Sequence, residues 1–435
     1  MEEQQLSRSE AHSSAHEEHH HHHHHHHSRR HHRKKNKFQK FWKKHKKSIR
    51  NIAMLVLALA LVLTVAAFAD LYTKGYQKDP EVSDSLQQVA IRTELPHFEG
   101  DIPLVKEAAL QYLNRDPGED AMSAMKRINT TMERLDVGLP VRLSFDVSGL
   151  PTGCSVVSAT LEVSEHQNLS NPTVYHVAPG QNAVNVPHLK TNTQYYYLFS
   201  CTLSDGTVTS AGSSFRTADT PRILSIDGIA NVRDIGGWKT IDGKTIRQGL
   251  LYRGTELDGA VEEKYTLTDT GRHDMLAVLG IRTDMDLRTR TDNAFGSDAL
   301  GTGVRHIYYG DYGAPCYVDI FGRGYMKLMA QIFADLAVEG NYPVYLHCTY
   351  GMDRTGTVCY LLEALLGLSE PDLQAEYELS VLYSGYVGTE YLLPFVEEMK
   401  KLPGDTMQQK AEGYLLSAGV TAEQIAEIRR IFLVG

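Results

Sequence analysis

Val344-Tyr-Leu-His-Cys-Thr-Tyr-Gly-Met-Asp-Arg-Thr-Gly356 is the stretch whose reading sets the fold. Its apolar beginning, 343–346, predicts a buried strand. His347 and Cys348 end that strand, residues 349–353 make a five-residue turn, and Arg354 opens an apolar segment, 357–368, that reads as a helix. A cysteine at the mouth of a helix sits where unpaired backbone N–H groups and the positive dipole end favour an anion. The same field favours the thiolate at Cys348. Arg354, six positions on, brings a planar fork able to hold two oxygens of a tetrahedral oxyanion. Thr355 is placed to donate a hydrogen bond to the sulfur as it leaves. Thr349, Tyr350, Gly351, Met352, Asp353 and Arg354 then form a phosphate cradle around a sulfur nucleophile. That is equipment for phosphoryl transfer through a phospho-cysteine. A buried structural cysteine at a strand end is the plainer alternative.

The string from His347 to Gly356 resembles the signature of the cysteine-based protein tyrosine phosphatase superfamily, and within it the bacterial tyrosine/serine phosphatase branch. Three further strings resemble elements of that branch: Asn231-Val-Arg-Asp-Ile-Gly-Gly237, Tyr252-Arg-Gly254 and Asp286-Leu-Arg288. The resemblance covers about half of the chain and does not reach residues 1–219. It implies hydrolysis of phosphomonoesters with neither metal nor organic cofactor. A general acid must protonate the leaving oxygen and, once deprotonated, activate water. The resemblance favours Asp286 first and Asp353 second, with Asp311 and Asp319 as further candidates. Asp353 can instead serve only to orient Arg354.

The remaining motif residues read as support. Arg233 and Asp234 are expected to form a buried ion pair that fixes the loop under the phosphate site, with Asn231 in the same string. Arg253 and Arg288 are expected either to pair with carboxylates or to add positive potential to the cleft. His347 is expected to set the loop by hydrogen bonding. Cys359, on the following helix, reads as core, or as a partner that traps an oxidised Cys348. Relatives often carry Lys where this chain has Met352, and that Lys is associated with polyanionic substrates such as phosphoinositides. Met352 removes the charge.

Outward from this centre the chain changes character. It has 435 residues and a formal net charge of -9. Residues 1–50 hold 13 Lys/Arg against 5 Asp/Glu, while the remainder holds 31 against 48. The basic end is therefore a local device, and the acidic bulk excludes a nucleic-acid binder. Residues 1–50 read as a disordered tail with a nine-histidine run at 19–27, a solvated tract or a metal-binding one. Lysines at 34–47 interleave with Phe38, Phe41 and Trp42, ahead of 18 uncharged residues at 52–69. That pattern predicts a transmembrane signal anchor, 51–69, whose basic flank meets anionic lipid with the N-terminus cytoplasmic and the rest outside the cell membrane. Cleavage after Ala69, with release, is the alternative.

Residues 70–137 show patchy helical periodicity and predict two short helices, at Leu104–Leu113 and Met122–Met132, in a stalk or linker or packed on the next domain. Residues 138–218 alternate over short runs and predict a β-sandwich; the stretch 189–197, with its Ser-Phe-Arg-Thr ending, resembles a fibronectin type III domain. Five cysteines do not make a disulfide framework, and Cys154 and Cys201 are either bridged or buried free thiols. Residues 220–435 alternate strands and helices. The expected fold class is thus α/β: a cysteine-phosphatase sheet flanked by helices, preceded by an all-β sandwich and one N-terminal transmembrane helix.

The expected activity is a protein-tyrosine phosphatase, acting on a phosphorylated protein or a small organic phosphate. An inositol phosphate phosphatase is the first alternative. A surface binding protein with a vestigial phosphatase fold is the second.

Overall fold

The computed structural model describes residues 89–94, 100–178, 180–292, 298–310 and 313–435. The histidine run, the basic segment, the expected membrane span and Asp311 therefore lie outside the described residues. Among the described residues no helix is long and apolar enough to cross a membrane.

Strand β1 (Ala90–Glu94) leads to helices α1 (Glu107–Leu113) and α2 (Ala121–Ile128). Six strands follow: β2 (Val141–Ser148), β3 (Val156–Ser164), β4 (Thr173–Val177), β5 (Ala183–Val186), β6 (Gln194–Leu203) and β7 (Val208–Arg216). They form two antiparallel sheets, β1-β2-β5 and β4-β3-β6-β7. Alternation explains the pairing of faces: in β6, Tyr195, Tyr197, Phe199, Cys201 and Leu203 are buried while the residues between them are half-buried. The two inner faces share one core, in which Phe145 stacks on Phe199 with ring centroids 3.9 Å apart. Cys201 lies in that core and Cys154 beside Asp205, and both are free thiols.

β1 corrects the expected boundary, because the sandwich takes an edge strand from ahead of residue 138. Between β1 and β2 the chain leaves to make α1 and α2, which pack on the C-terminal region instead of standing as a stalk. Tyr112 and Leu135 are fully buried in the same core as the later helices. The Leu135 N–H donates to the Leu382 carbonyl at 2.8 Å. The expected helices at 104–113 and 122–132 are those observed, each shorter; Asp120 caps the N-terminus of the second by accepting from the Ser123 N–H.

The C-terminal region, 220–435, contains β8 (Arg233–Asp234), β9 (Thr245–Ile246), β10 (Leu251–Gly254), α3 (Asp269–His273), β11 (Thr283–Asp286), β12 (Arg305–Tyr308), α4 (Arg323–Leu336) and β13 (Val344–His347). The helices α5 (Asp353–Leu366), α6 (Glu370–Glu378), α7 (Val381–Ser384), α8 (Thr389–Lys400), α9 (Met407–Ala418) and α10 (Ala422–Phe432) come next, before a short β14 (Leu433–Val434) that pairs with β9. The sheet order is β12-β11-β13-β10-β8, with the first four strands parallel and β8 antiparallel at the edge. Strands β10, β11 and β13 are buried at every position, as parallel strands covered on both faces must be. Val344, Leu346 and Met285 face the helical core; Tyr345 and Tyr252 face a second core with Ile226, Met275 and Leu279.

α5 is buried from Thr355 to Leu366, so it is the central helix of the domain. It starts four residues earlier than its apolar run and stops at Gly367, whose φ of 97 suits a left-handed cap. Residues 222–226 form only an isolated bridge, Ile223 with Arg233. Helix α3 begins at its Thr268 cap and widens into a π turn over Asp274–Val278.

Because Leu135 is wholly buried among side chains of the C-terminal region, Leu135→Ala is expected to destabilise the fold by about 3 kcal/mol. Denaturant unfolding measures this; a loss below about 1 kcal/mol would mark the segment as detachable.

Candidate active site

β13 delivers His347 and Cys348 to the carboxyl end of the sheet, and the chain turns at once into α5. The turn is tight because two glycines permit it. Gly351 has φ +66, and a Cβ there would lie 2.2 Å from the Gly254 carbonyl oxygen. A Cβ on Gly254 would in turn lie 2.3 Å from the Tyr345 hydroxyl. The loop therefore rests directly on the end of β10. Met352, the residue before α5, contributes no side-chain cap, so the first N–H groups of the helix are left for a ligand.

The loop carbonyls are bonded from beneath. Arg253 Nη2 donates to the Gly351 carbonyl at 2.8 Å, and Asn231 Nδ2 donates to the carbonyls of Tyr350 and Gly351 at 3.1 and 3.3 Å. Arg233 holds Asn231 in place through its Oδ1 at 2.6 Å. Both arginines end on Glu376, at 2.6 Å each. Burial alone would push the Glu376 carboxyl up, but Arg233 and Arg253 hold it below the ordinary carboxylate range. With carbonyls directed down, the loop amides are directed toward the anion site.

Two expectations need correction here. Arg233 and Asp234 do not pair with each other, because neighbours on a strand point to opposite faces. Asp234 instead pairs with Arg222 at 2.7 Å, and Arg222 donates to the carbonyls of His188 and Leu189 in the sandwich. Asp286, the first choice for general acid, is fully buried and gripped by Arg288, with contacts at 2.8 to 3.1 Å. Burial would raise its pKa, yet His347, His306 and Arg288 together hold it far below the ordinary range. A carboxyl so held does not carry a proton at working pH, so it is a poor acid. Arg288 also binds Glu256 and Asp258 at 2.7 Å, so of its two expected roles it takes the pairing one.

His347 is buried beside Cys348, with Nε2 2.9 Å from Asp284 Oδ1, a charge contact whose angle falls short of a hydrogen bond, and Nδ1 3.3 Å from the Cys348 carbonyl. Burial would lower its pKa, but Asp286 and Asp284 push it up to about 9. Thr355 is fully buried with no hydrogen-bond partner for its hydroxyl, as a donor reserved for the sulfur would be. Thr349 is buried in the loop, and Cys348 itself is 2 % exposed. Cys359 sits fully buried in α5, where burial pushes its thiol far up. It is core.

Arg354 is partly exposed and donates to Asp292 at 2.6 Å. Burial lowers its pKa, while the Cys348 charge and Asp292 raise it, and the balance is upward. Asp353 accepts a hydrogen bond from the Tyr317 hydroxyl and lines an open cleft of about 630 Å³. Tyr265, Tyr350, Tyr383, Tyr386 and Tyr391 also line it, with Met352, Lys264 and Arg134. Asp319, the remaining described candidate acid, lies exposed in the short 3-10 helix Tyr317–Phe321, outside that lining. Among the described residues no cluster of His, Cys, Asp and Glu is arranged to hold a metal ion.

Glu376, Asp292, Tyr317 and Asp136, which accepts the Asn231 N–H at 2.7 Å, were not among the expected site residues. Their partners lie far away in sequence and no local pattern marks them. The tyrosine wall did leave a signal, since Tyr383, Tyr386 and Tyr391 fall within nine residues.

Residues 224–434, just under half of the chain, match the family model described as the tyrosine phosphatase family. A tyrosine-protein phosphatase of Nostoc commune is 31% identical over 136 residues, which is 27% of this chain and 46% of that protein. A protein of Cupriavidus necator, named as an inferred tyrosine-protein phosphatase, is 26% identical over 175 residues, 35% of this chain and 61% of its own. The chain thus spans less than two thirds of either relative. The core catalytic domain of the PP-IP phosphatase SIW14 from S. cerevisiae, in complex with citrate, covers 38% of this chain and 80% of its own at 15% identity, with a TM-score of 0.22. That likeness is too slight to argue from. The family match and the two relatives support a cysteine-based phosphatase.

His347 gives the site a pH dependence. Its pKa is raised from 6.5 to about 9, so its stabilising contribution is complete below 6.5 and is lost as pH rises through 9. Asp286 is lowered, so its contribution is complete above its unfolded value of 3.8 and is lost only in acid. Thermal unfolding midpoints of the wild type are expected to fall between pH 6.5 and 9, and His347→Gln is expected to flatten that decline. An unchanged slope in the variant would contradict the assignment.

Proposed function

We propose that this chain is a metal-independent phosphomonoester hydrolase whose substrate is an aryl phosphate, protein phosphotyrosine foremost. One observation carries the reading: Cys348 and Arg354 stand at the two ends of a loop whose carbonyls are bonded from beneath, and Tyr350, Met352 and Asp353 of that loop line a cleft walled by tyrosines. In the first step the Cys348 sulfur attacks phosphorus, Arg354 and the loop amides take up the charge on the non-bridging oxygens, and Asp353 protonates the leaving oxygen. In the second step Asp353, now a carboxylate, accepts a proton from water as water attacks the phospho-cysteine. Thr355 donates to the sulfur as the S–P bond breaks.

Three features support aryl over polyanionic substrates. The cleft is aromatic, and a phenyl ring packs well against tyrosine edges and faces. Met352 is an apolar residue of the lining. The two cationic residues of the lining are already engaged: Arg134 with Asp136 at 2.8 Å and Lys264 with Glu262 at 3.6 Å. Those pairings weigh against an inositol polyphosphate.

We extend the proposal to the rest of the chain. The three-and-four-stranded sandwich supports a fibronectin type III-like module. The composition of residues 34–69 supports a membrane anchor with a lipid-facing basic flank, which would place the catalytic region outside the cell.

The test is turnover by the full chain of a phosphotyrosine peptide, a phosphoserine peptide and an inositol polyphosphate, with EDTA present. The expected result is preference for the phosphotyrosine peptide, insensitivity to EDTA and no turnover by Cys348→Ser. Turnover surviving in Cys348→Ser contradicts the mechanism, and preference for the inositol polyphosphate contradicts the substrate.

A further inference from the structure

Tyr317 has a backbone that its residue type rarely adopts. Its φ is +53, in the left-handed region that a bulky L-residue avoids. Several contacts hold it there. Its N–H donates to Thr357 Oγ1 at 2.9 Å, and that hydroxyl donates to the Asp353 carbonyl at 2.9 Å, so the residue is fastened to the first turn of α5. Its hydroxyl lies 2.5 Å from Asp353 Oδ1 and 2.5 Å from the Tyr377 hydroxyl. Tyr377 in turn reaches the Gly388 carbonyl at 3.2 Å. Two glycines make room for this chain of phenols. A Cβ on Gly388 would stand 3.2 Å from both hydroxyls, and one on Gly356 would stand 2.9 Å from the Tyr377 ring. The outer face of Tyr317 stacks on Tyr391, an exposed residue of the cleft lining, with ring centroids 5.8 Å apart.

We propose that Tyr317 is a positioning residue for proton transfer: its phenol occupies Oδ1 of Asp353 and so leaves Oδ2 as the oxygen that serves the substrate. The proposal rests on the reading of Asp353 as the acid. In the first step the Oδ2 proton passes to the leaving oxygen as its bond to phosphorus breaks and the S–P bond forms. In the second step a water proton passes to Oδ2 as water oxygen bonds to phosphorus and the S–P electrons return to Cys348. Throughout both steps Tyr317 keeps its own proton and Oδ1 keeps its donor. Burial, then Tyr377 and Asp353, push the Tyr317 hydroxyl far above the usual phenol range, so it remains a donor at working pH. The other titratable groups facing Asp353 are Cys316, Tyr377, Tyr383 and Tyr386, with Arg354 beside it in the helix.

Leaving-group dependence tests this, because an activated ester needs no acid and a poor leaving group does. The full chain, Asp353→Asn and Tyr317→Phe are compared on phenyl phosphate and para-nitrophenyl phosphate. Asp353→Asn is expected to lose on the order of 100-fold in kcat on phenyl phosphate and far less on the nitro ester. Tyr317→Phe is expected to show the same asymmetry at roughly tenfold. It is also expected to add nothing further in the Asp353→Asn background. Equal losses on both esters in Tyr317→Phe, with asymmetry retained in Asp353→Asn, overturn this inference alone. Equal losses in Asp353→Asn overturn the acid assignment and the inference with it. Should Tyr317→Phe fail to fold, Tyr377→Phe carries the same comparison, since it removes the second member of the phenol chain. An asymmetric loss there supports the inference and a symmetric one overturns it.

Discussion

Glu376 holds two arginines in a buried triad, and the phosphate loop depends on that contact. Arg253 reaches from it to the Gly351 carbonyl, and Arg233 reaches from it to Asn231, which donates to the same carbonyl and to that of Tyr350 before it. A five-residue loop with its carbonyls turned down presents its amides upward, so a distant carboxylate sets the polarity of the site. Such a triad is a weak source of stability, because desolvation offsets much of the Coulomb attraction. Removing one member would leave a buried charge unpaired and cost on the order of 3–5 kcal/mol. Its value lies in orientation. Glu363 is buried beside this triad with neither oxygen hydrogen-bonded, and burial pushes its carboxyl well above the ordinary range, while the arginines pair with Glu376.

Charge is segregated in layers around the cysteine. Arg354 is held on Asp292 at the end of the loop. Beneath lie the Arg253 and Arg233 pair on one side and the Arg288 cluster with His347 and His306 on the other. The strand register explains the second group. Asp284 pairs with His306 and Asp286 with His347 across neighbouring parallel strands, which brings all four to one face of the sheet. The Asp-Leu-Arg element is therefore a structural staple under the site.

The strand, loop and helix around Cys348 were legible because local geometry writes them: an apolar run, a five-residue turn and a helix whose interior is apolar. Asn231, Arg253 and Gly351 could be singled out from motif strings, though not the carbonyls they bind. The pairings were not legible. Arg233 meets a glutamate 143 positions away, and Arg222, Asp136 and Asp292 enter through contacts that no spacing announces. Placing Arg233 with Asp234 failed for a purely local reason, the alternation of side chains along a strand. Choosing Asp286 as acid failed because its burial and its three cationic neighbours are properties of the sheet. The helices ahead of residue 138 showed their periodicity, yet only packing of Tyr112 and Leu135 reveals them as part of the catalytic core.

The central claim is a covalent phosphate on Cys348, and trapping it is the most direct test. Asp353→Asn is mixed with para-nitrophenyl phosphate, quenched in denaturant during turnover, and the peptide spanning 344–354 is weighed. The nitro ester forms the intermediate without help from the acid, whereas its hydrolysis needs the base, so phosphate is predicted to accumulate on Cys348. A bare Cys348 peptide under turnover, or phosphate carried by another residue such as His347, would contradict the account.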